Sequence, residues 1–259
     1  MTENLRIINT DASNIHQFGM CGYKNTKNEG YRMKLNWVKQ RYNEGLRYKM
    51  LVSEEKGAIG GIEYLPGEQA WRPVVAGGFM FIQCIFIIPK EVKGKGYGQK
   101  LVETCIEDAR GSGMKGVAVV TRKGTWMAGS EVFLKLGFVV TDQAKPDFEL
   151  MTLKFNPSSP DPKFTRGWNK TLEKYSDGLY MITSGQCPYT QKAVIEISEA
   201  AEKDFGIIPK VIRLENAAQA QEVPCAFGSF CMIYNGKVVA EHPVSQTRFR
   251  NILGKVKKN

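Results

Sequence analysis

The sequence predicts a mixed α/β (α+β) chain of two domains, and three observations predict it. An almost wholly apolar run, Phe79 to Ile88, leads into a glycine-rich loop and then an amphipathic helix. Asn156-Pro157-Ser158-Ser159-Pro160-Asp161-Pro162 can continue neither a helix nor a central strand. Beyond that break, strand and helix patterns alternate again from Gly178 onward. The expected division is 1–155 for the first domain, 156–163 for a linker and 164–259 for a smaller second domain. A chain of 259 residues suits two domains, since domains commonly run to about 100–200 residues.

The elements of the first domain follow in order. Residues 31–44 carry apolar positions at helical spacing around Leu35, Trp37 and Val38. Tyr48–Val52 reads as a strand, and Ala58–Tyr64 as its hairpin partner. Residues 65–78 are rich in glycine and proline and read as a loop. Phe79–Ile88 reads as a buried central strand, because Pro89 and the glycines after it argue against a helix. Leu101, Val102, Cys105, Ile106 and Ala109 form one face of a helix. Gly116–Thr121 and Leu150–Phe155 read as further strands.

Composition narrows the function. Hydrophobic residues make up 42% and charged residues 24%, the balance of a globular protein. No segment approaches the roughly 20 consecutive apolar residues of a membrane helix. The start, Met1-Thr2-Glu3-Asn4, lacks a signal-peptide pattern, so no membrane association and a cytoplasmic location are expected. The net charge of +10 is spread over both domains, with one dense basic run at Lys255-Val256-Lys257-Lys258. That excess favours anionic ligands, and no helix-turn-helix, zinc-finger or RNA-binding aromatic pattern accompanies it. Six scattered cysteines without a Cys-x-x-Cys pair, and two isolated histidines, predict neither a disulfide scaffold nor a metal site.

The segment with the most chemical content is Lys93-Gly94-Lys95-Gly96-Tyr97-Gly98-Gln99-Lys100, between the buried strand and its helix. Glycines let backbone N–H groups approach an anion, and a helix N-terminus adds the positive end of its dipole. Lys93, Lys95 and Lys100 add charge. A P-loop and a dinucleotide fingerprint both require glycine where Gln99 stands.

This loop resembles the pyrophosphate loop of GNAT-superfamily acetyltransferases, whose pattern is Arg/Gln-x-x-Gly-x-Gly/Ala, with Lys93 at the first position. Ser130–Val139, containing Leu136-Gly137-Phe138, resembles the same superfamily's second cofactor-contacting helix. The resemblance spans roughly residues 5–155 and implies acetyl-CoA as cosubstrate. It places the pyrophosphate on the amides of residues 94–99, with Lys93, Gly94, Lys95, Gly96, Tyr97, Gly98 and Gln99 forming the loop. It places the pantetheine along the strand near Ile85 and Ile87. Direct attack by an amine then needs a base and an acid. The family's tyrosine acid is Phe133 here, and an asparagine seven residues earlier is Trp126. Replacements are sought among Glu63, Glu68, Tyr64 and Arg72. The competing reading of Glu63 is a solvated strand-face carboxylate. Gln83 and Cys84 lie beside the expected thioester, Cys84 as nucleophile or as buried structural thiol. Trp71 and Arg72 are expected at the substrate mouth.

In the second domain, Gly178–Thr183 reads as a strand and Thr190–Phe205 as a helix, with Cys187-Pro188-Tyr189 between them. Pro209–Leu214, residues 216–221, Ser229–Tyr234, Lys237–Ala240 and residues 245–253 read as strand, helix, strand, strand and helix, with a turn at Asn235-Gly236. The Cys-Pro-Tyr corner resembles that of the thioredoxin superfamily, where a helix N-terminus favours the thiolate. The second redox cysteine is Thr190, and Gly228 stands where that superfamily has its cis-proline. Cys187 then acts as a single thiol, pairs with Cys225 or Cys231, or is structural.

The order of domains resembles the bacterial YoaP-type acetyltransferases. The resemblance implies an N-acetyltransferase acting on a primary amine, either a small molecule or a protein lysine. The second domain would bind substrate or sense redox state. The competing class is a non-catalytic CoA-binding or thiol-regulatory protein that relies on Cys187.

Overall fold

The computed structural model describes residues 5–23, 25–88 and 90–257. Met1–Asn4, Pro89 and Lys258, used in the sequence reading, lie outside them. The chain divides into two compact units. The first comprises Met1–Lys27, Leu35–Ala70 and Val74–Phe164, and the second Asn28–Lys34, Trp71–Pro73 and Thr165–Asn259.

In chain order the elements begin β1 (Leu5–Thr10), α1 (Glu29–Arg41), β2 (Arg47–Ser53), β3 (Gly57–Pro66), β4 (Val74–Val75) and β5 (Phe79–Ile87). There follow α2 (Tyr97–Gly111), β6 (Gly116–Arg122), α3 (Glu131–Lys135), β7 (Val139–Ala144), β8 (Phe148–Lys154) and β9 (Lys163–Phe164). The first unit is built on a seven-stranded sheet in the order β1-β2-β3-β5-β6-β8-β7. Neighbours are antiparallel except β5 and β6. Parallel neighbours need a long crossover, and α2 supplies it. The predicted face of α2 is its buried face: Leu101, Val102, Cys105 and Ala109 join Ile62, Tyr64, Met80, Ile82, Val117 and Val119 in one apolar cluster. Gly116 lets β6 sit close to β8, since a Cβ there would lie 2.2 Å from the Leu153 carbonyl oxygen.

Asp108 of α2 forms a polar contact with this sheet. It accepts a hydrogen bond from the Tyr64 hydroxyl at 2.6 Å and ion pairs from Lys49 at 2.9 Å and Arg47 at 3.0 Å. Burial alone would raise its pKa, but the bonds from Tyr64, Lys49 and Arg47 outweigh it and hold the carboxyl below the ordinary aspartate value. A depressed folded pKa adds stability that is complete above the unfolded value and lost as pH falls through the folded one. Asp108→Asn should therefore lower stability at pH 7 by about 2 kcal/mol. Its unfolding midpoint should also fall less steeply than the wild type's below about pH 4, as acid unfolding followed by circular dichroism would show.

The second unit continues with α4 (Trp168–Leu172), β10 (Leu179–Thr183), α5 (Thr190–Phe205), β11 (Lys210–Arg213), α6 (Ala217–Gln221), β12 (Phe230–Tyr234), β13 (Lys237–Ala240) and α7 (Gln246–Val256). Its sheet has the order β11-β10-β12-β13, with β10 and β11 parallel and the other pairs antiparallel. From β10 the chain thus runs β-α-β-α-β-β-α, with α5 and α7 packed together and Phe205 edge-on to Phe249 at 5.9 Å. The Asn235-Gly236 turn has positive φ at both residues, as its sequence requires.

Some elements differ from the sequence reading. The helix expected across Ser130–Val139 is only Glu131–Lys135, because Gly137 turns the chain at φ +82° and Val139 opens β7. The loop at 65–78 contains the short β4, which pairs with β9 just after the proline-rich segment. β1 and β7, the edge strands of the sheet, have no counterpart in the sequence reading: β1 carries no glycine punctuation, and β7 continues the apolar pattern that was assigned to the preceding helix.

Candidate active site

Two features of the first unit converge at one end of the sheet. Strands β5 and β6 pair in parallel from Phe79–Gly116 to Ile82–Val119 and then part, while β5 runs on to Ile87. Along the same stretch β5 changes from buried through Gln83 to half-buried from Cys84 through Ile87. Parting strands expose backbone N–H and C=O groups that an extended ligand can pair with. After β5 comes the glycine loop, with Gly94 at φ +77° and Gly96 at φ +81°. Gly96 is the N-cap of α2 and gives no side-chain cap. A Cβ on Gly94, Gly96 or Gly98 would meet nothing within 4 Å, so the helix entrance is open. The first N–H groups of a helix have no intrahelical acceptor. Lys93 and Lys95 are exposed beside them, and Gln99 turns down the helix to donate to Glu103 at 2.9 Å.

A row of polar and ionisable side chains crosses the sheet. The register opposes Thr10 to Tyr48, Tyr48 to Glu63, and Glu63 to Cys84. Directly opposed residues of antiparallel strands share a face, so one face carries all four. Glu63 is 0% exposed, which corrects the reading of a solvated strand-face carboxylate. A β-bulge between Glu63 and Tyr64 marks this position in the β3–β5 ladder. Bulges next to active sites re-aim side chains. Burial, then Cys21, Glu63 and Cys84, push the Tyr48 phenol well above its ordinary pKa. Burial is also the main reason Tyr42 rises to about 12, with Glu63 contributing and the Thr10 hydroxyl at 2.7 Å opposing.

Cys21 completes the group. Met20 and Tyr23 exchange backbone hydrogen bonds of 3.1 and 2.8 Å, and between them Cys21 and Gly22 take φ +51° and +88°. That is a two-residue turn of the type that requires positive φ twice. Cysteine there costs on the order of 1 kcal/mol. The turn brings the Cys21 sulfur to 4.0 Å from the Tyr48 hydroxyl. It also brings the donor atoms of Cys21, Glu63 and Cys84 within 4.8 Å of one another. Sequence reasoning missed Cys21 because 42 and 63 positions separate it from the other two. The adjacent Cys21-Gly22 pair, a turn signal with an unusual first residue, was the available clue.

Other expected residues lie elsewhere. The Tyr64 hydroxyl is committed to Asp108, and Glu68 accepts from the Gly78 amide at 2.7 Å. Trp71 and Arg72 are buried and belong to the second unit, where Arg72 donates to the Phe227 carbonyl and lies over its ring. Phe133 is buried in the core, edge-on to Phe138 at 5.4 Å. Trp126 is 42% exposed at φ +77°. In the second unit, Cys187 is half-buried just before α5, and the Thr190 hydroxyl donates to its carbonyl at 2.8 Å. Cys225 and Cys231 are both buried; burial and the Cys225 side chain raise the Cys231 pKa. All six cysteines are thiols.

Residues 15–138 match the model of the acetyltransferase (GNAT) family. The chain carries a GNAT acetyltransferase domain. Residues 210–251 match the YoaP-like model, so a YoaP-like domain accompanies the GNAT domain. Over 250 residues, 95% of this chain and 97% of its own, the uncharacterized N-acetyltransferase YoaP of Bacillus subtilis (strain 168) is 29% identical. Among solved structures, a GNAT-family acetyltransferase from Staphylococcus aureus Mu50 is 14% identical with a TM-score of 0.45. It covers 59% of this chain and 100% of its own. A GNAT-family acetyltransferase from Brucella melitensis, solved with acetyl-CoA, is 20% identical with a TM-score of 0.39 and covers 64% of this chain and 97% of its own. No helix among the described residues is long and apolar enough to cross a membrane.

Proposed function

We propose that this GNAT-family N-acetyltransferase moves an acetyl group from acetyl-CoA to a primary amine, with Glu63 as proton acceptor. The observation that carries this reading is the buried Glu63 opposite Cys84, where β5 has just parted from β6. The open entrance to α2 fits a pyrophosphate: Lys93 and Lys95 supply charge, Gly94, Gly96 and Gly98 leave room, and the amides of Tyr97, Gly98 and Gln99 supply donors. The free edge of β5 at Ile85 and Ile87 fits an extended amide-bearing arm. Acetyl-CoA, when bound, supplies the acetyl group as a thioester.

The protein's own work is to hold that arm, exclude water and take a proton. An ammonium acceptor must lose a proton before it can attack, and a buried carboxylate is suited to receive it. Tyr48, kept protonated by burial, lies beside Glu63 in the row. Cys84 flanks the reacting centre without bonding to the acetyl group, because the amine attacks directly. The acceptor is a small amine or a protein lysine. Residues 164–259, with Cys187 at the β10–α5 turn, serve acceptor binding or redox sensing.

Acetyl-CoA at 100 times its dissociation constant should stabilise the chain by about 2.7 kcal/mol. Thermal unfolding with and without the ligand measures this, and an unchanged midpoint at millimolar acetyl-CoA would refute the reading.

A further inference from the structure

We propose that Cys21, Glu63 and Cys84 form a binding site for a thiophilic divalent cation, with zinc as the reference ion. Three elements distant in sequence bring the donors together: the Met20–Tyr23 turn, β3 and β5. Glu63 and Cys84 share a sheet face as opposed residues, and Cys21 approaches them from its turn. The three donor atoms lie within 4.8 Å of one another. Tetrahedral zinc, with bonds of about 2.0–2.3 Å, sets its ligand atoms roughly 3.3–3.8 Å apart, so closing on an ion takes a contraction of about 1 Å.

Two sulfurs and one carboxylate select zinc over magnesium or calcium, which prefer oxygen alone. Three protein ligands leave a fourth position for water, the pattern of a site that can exchange ligands. The Tyr48 hydroxyl, 4.0 Å from the Cys21 sulfur, can donate to the bound thiolate and orient it. The binding step is balanced. The cation enters from solvent as its aqua ion, gives up all but one of its bound waters as two metal–sulfur bonds and one metal–oxygen bond form, and two thiol protons leave to solvent. No oxidant or reductant is consumed. Affinity therefore rises with pH until both thiols are ionised.

Glu63 bound to zinc cannot take a proton from an amine. On the acetyl-transfer reading above, zinc should therefore inhibit turnover by the wild type. Metal binding itself is measured without acetyl-CoA or amine, so either reading can fail alone.

The test uses the full chain, reduced with a non-thiol reductant and titrated with cobalt(II) and then zinc(II). One equivalent of cobalt should produce thiolate-to-metal charge-transfer absorption, displaced by zinc but not by magnesium. Cys21→Ser and Cys84→Ser should each weaken binding at least about 100-fold, since losing even an outer partner costs 10–100-fold. Circular dichroism establishes that each variant is folded. Glu63→Gln should keep the sulfur absorption and bind more weakly, which preserves the test if a cysteine variant unfolds. Cys225→Ser should bind as the wild type does. Absence of absorption in the wild type, or a band that survives in both folded serine variants, would overturn the site.

Discussion

Gly98→Glu is expected to abolish most acetyl-CoA affinity while leaving the free protein as stable as before or more so. Gly98 lies in the first turn of α2, and a Cβ there meets nothing within 4 Å. Replacing a helical glycine gains roughly 0.5–1 kcal/mol, and a carboxylate near a helix N-terminus adds about 0.3–1 kcal/mol. The same carboxylate would stand against the pyrophosphate's negative charge at the helix entrance. Calorimetric titration should show affinity lowered at least about 100-fold, or some 2.7 kcal/mol. Gly96→Glu is the weaker experiment, because φ +81° at Gly96 would strain any side chain and mix misfolding with lost binding. Unchanged affinity in Gly98→Glu would move the cofactor away from α2.

Glu63→Gln should lower kcat by about 10²–10⁴-fold, the usual worth of a positioned acid or base. Acetyl-CoA affinity should barely change, because Glu63 lies on β3 and not on the glycine loop or β5. Gln is nearly isosteric, so a large fall in kcat without a shift in unfolding midpoint separates proton transfer from packing. Direct transfer further predicts that Cys84→Ser retains activity within about tenfold, whereas an acetylated cysteine intermediate would lose it almost wholly.

The parts of this fold legible in sequence were those with local causes. The apolar Phe79–Ile87 run, the glycine loop and the stripe from Leu101 to Ala109 gave β5, the turn and α2 nearly to the residue. Asn235-Gly236 marked its own hairpin. The short α3 was overread because Gly137 ends it while the apolar pattern continues into β7. The site was legible only in part. Glu63 and Cys84 could be picked out individually, but their opposition depends on the β3–β5 register, which a bulge shifts. Tyr48 joins them through a second register and Cys21 through a distant turn, and no local pattern encodes either. That Arg72 and Trp71 are buried was not legible, because loop position says nothing about burial.

The most direct test of acetyl transfer is release of free CoA thiol from acetyl-CoA across a panel of primary amines and lysine peptides. At least one acceptor should stimulate release by the wild type and leave Glu63→Gln near background. Release that no amine stimulates, or equal rates in the two proteins, would contradict acetyl transfer through Glu63.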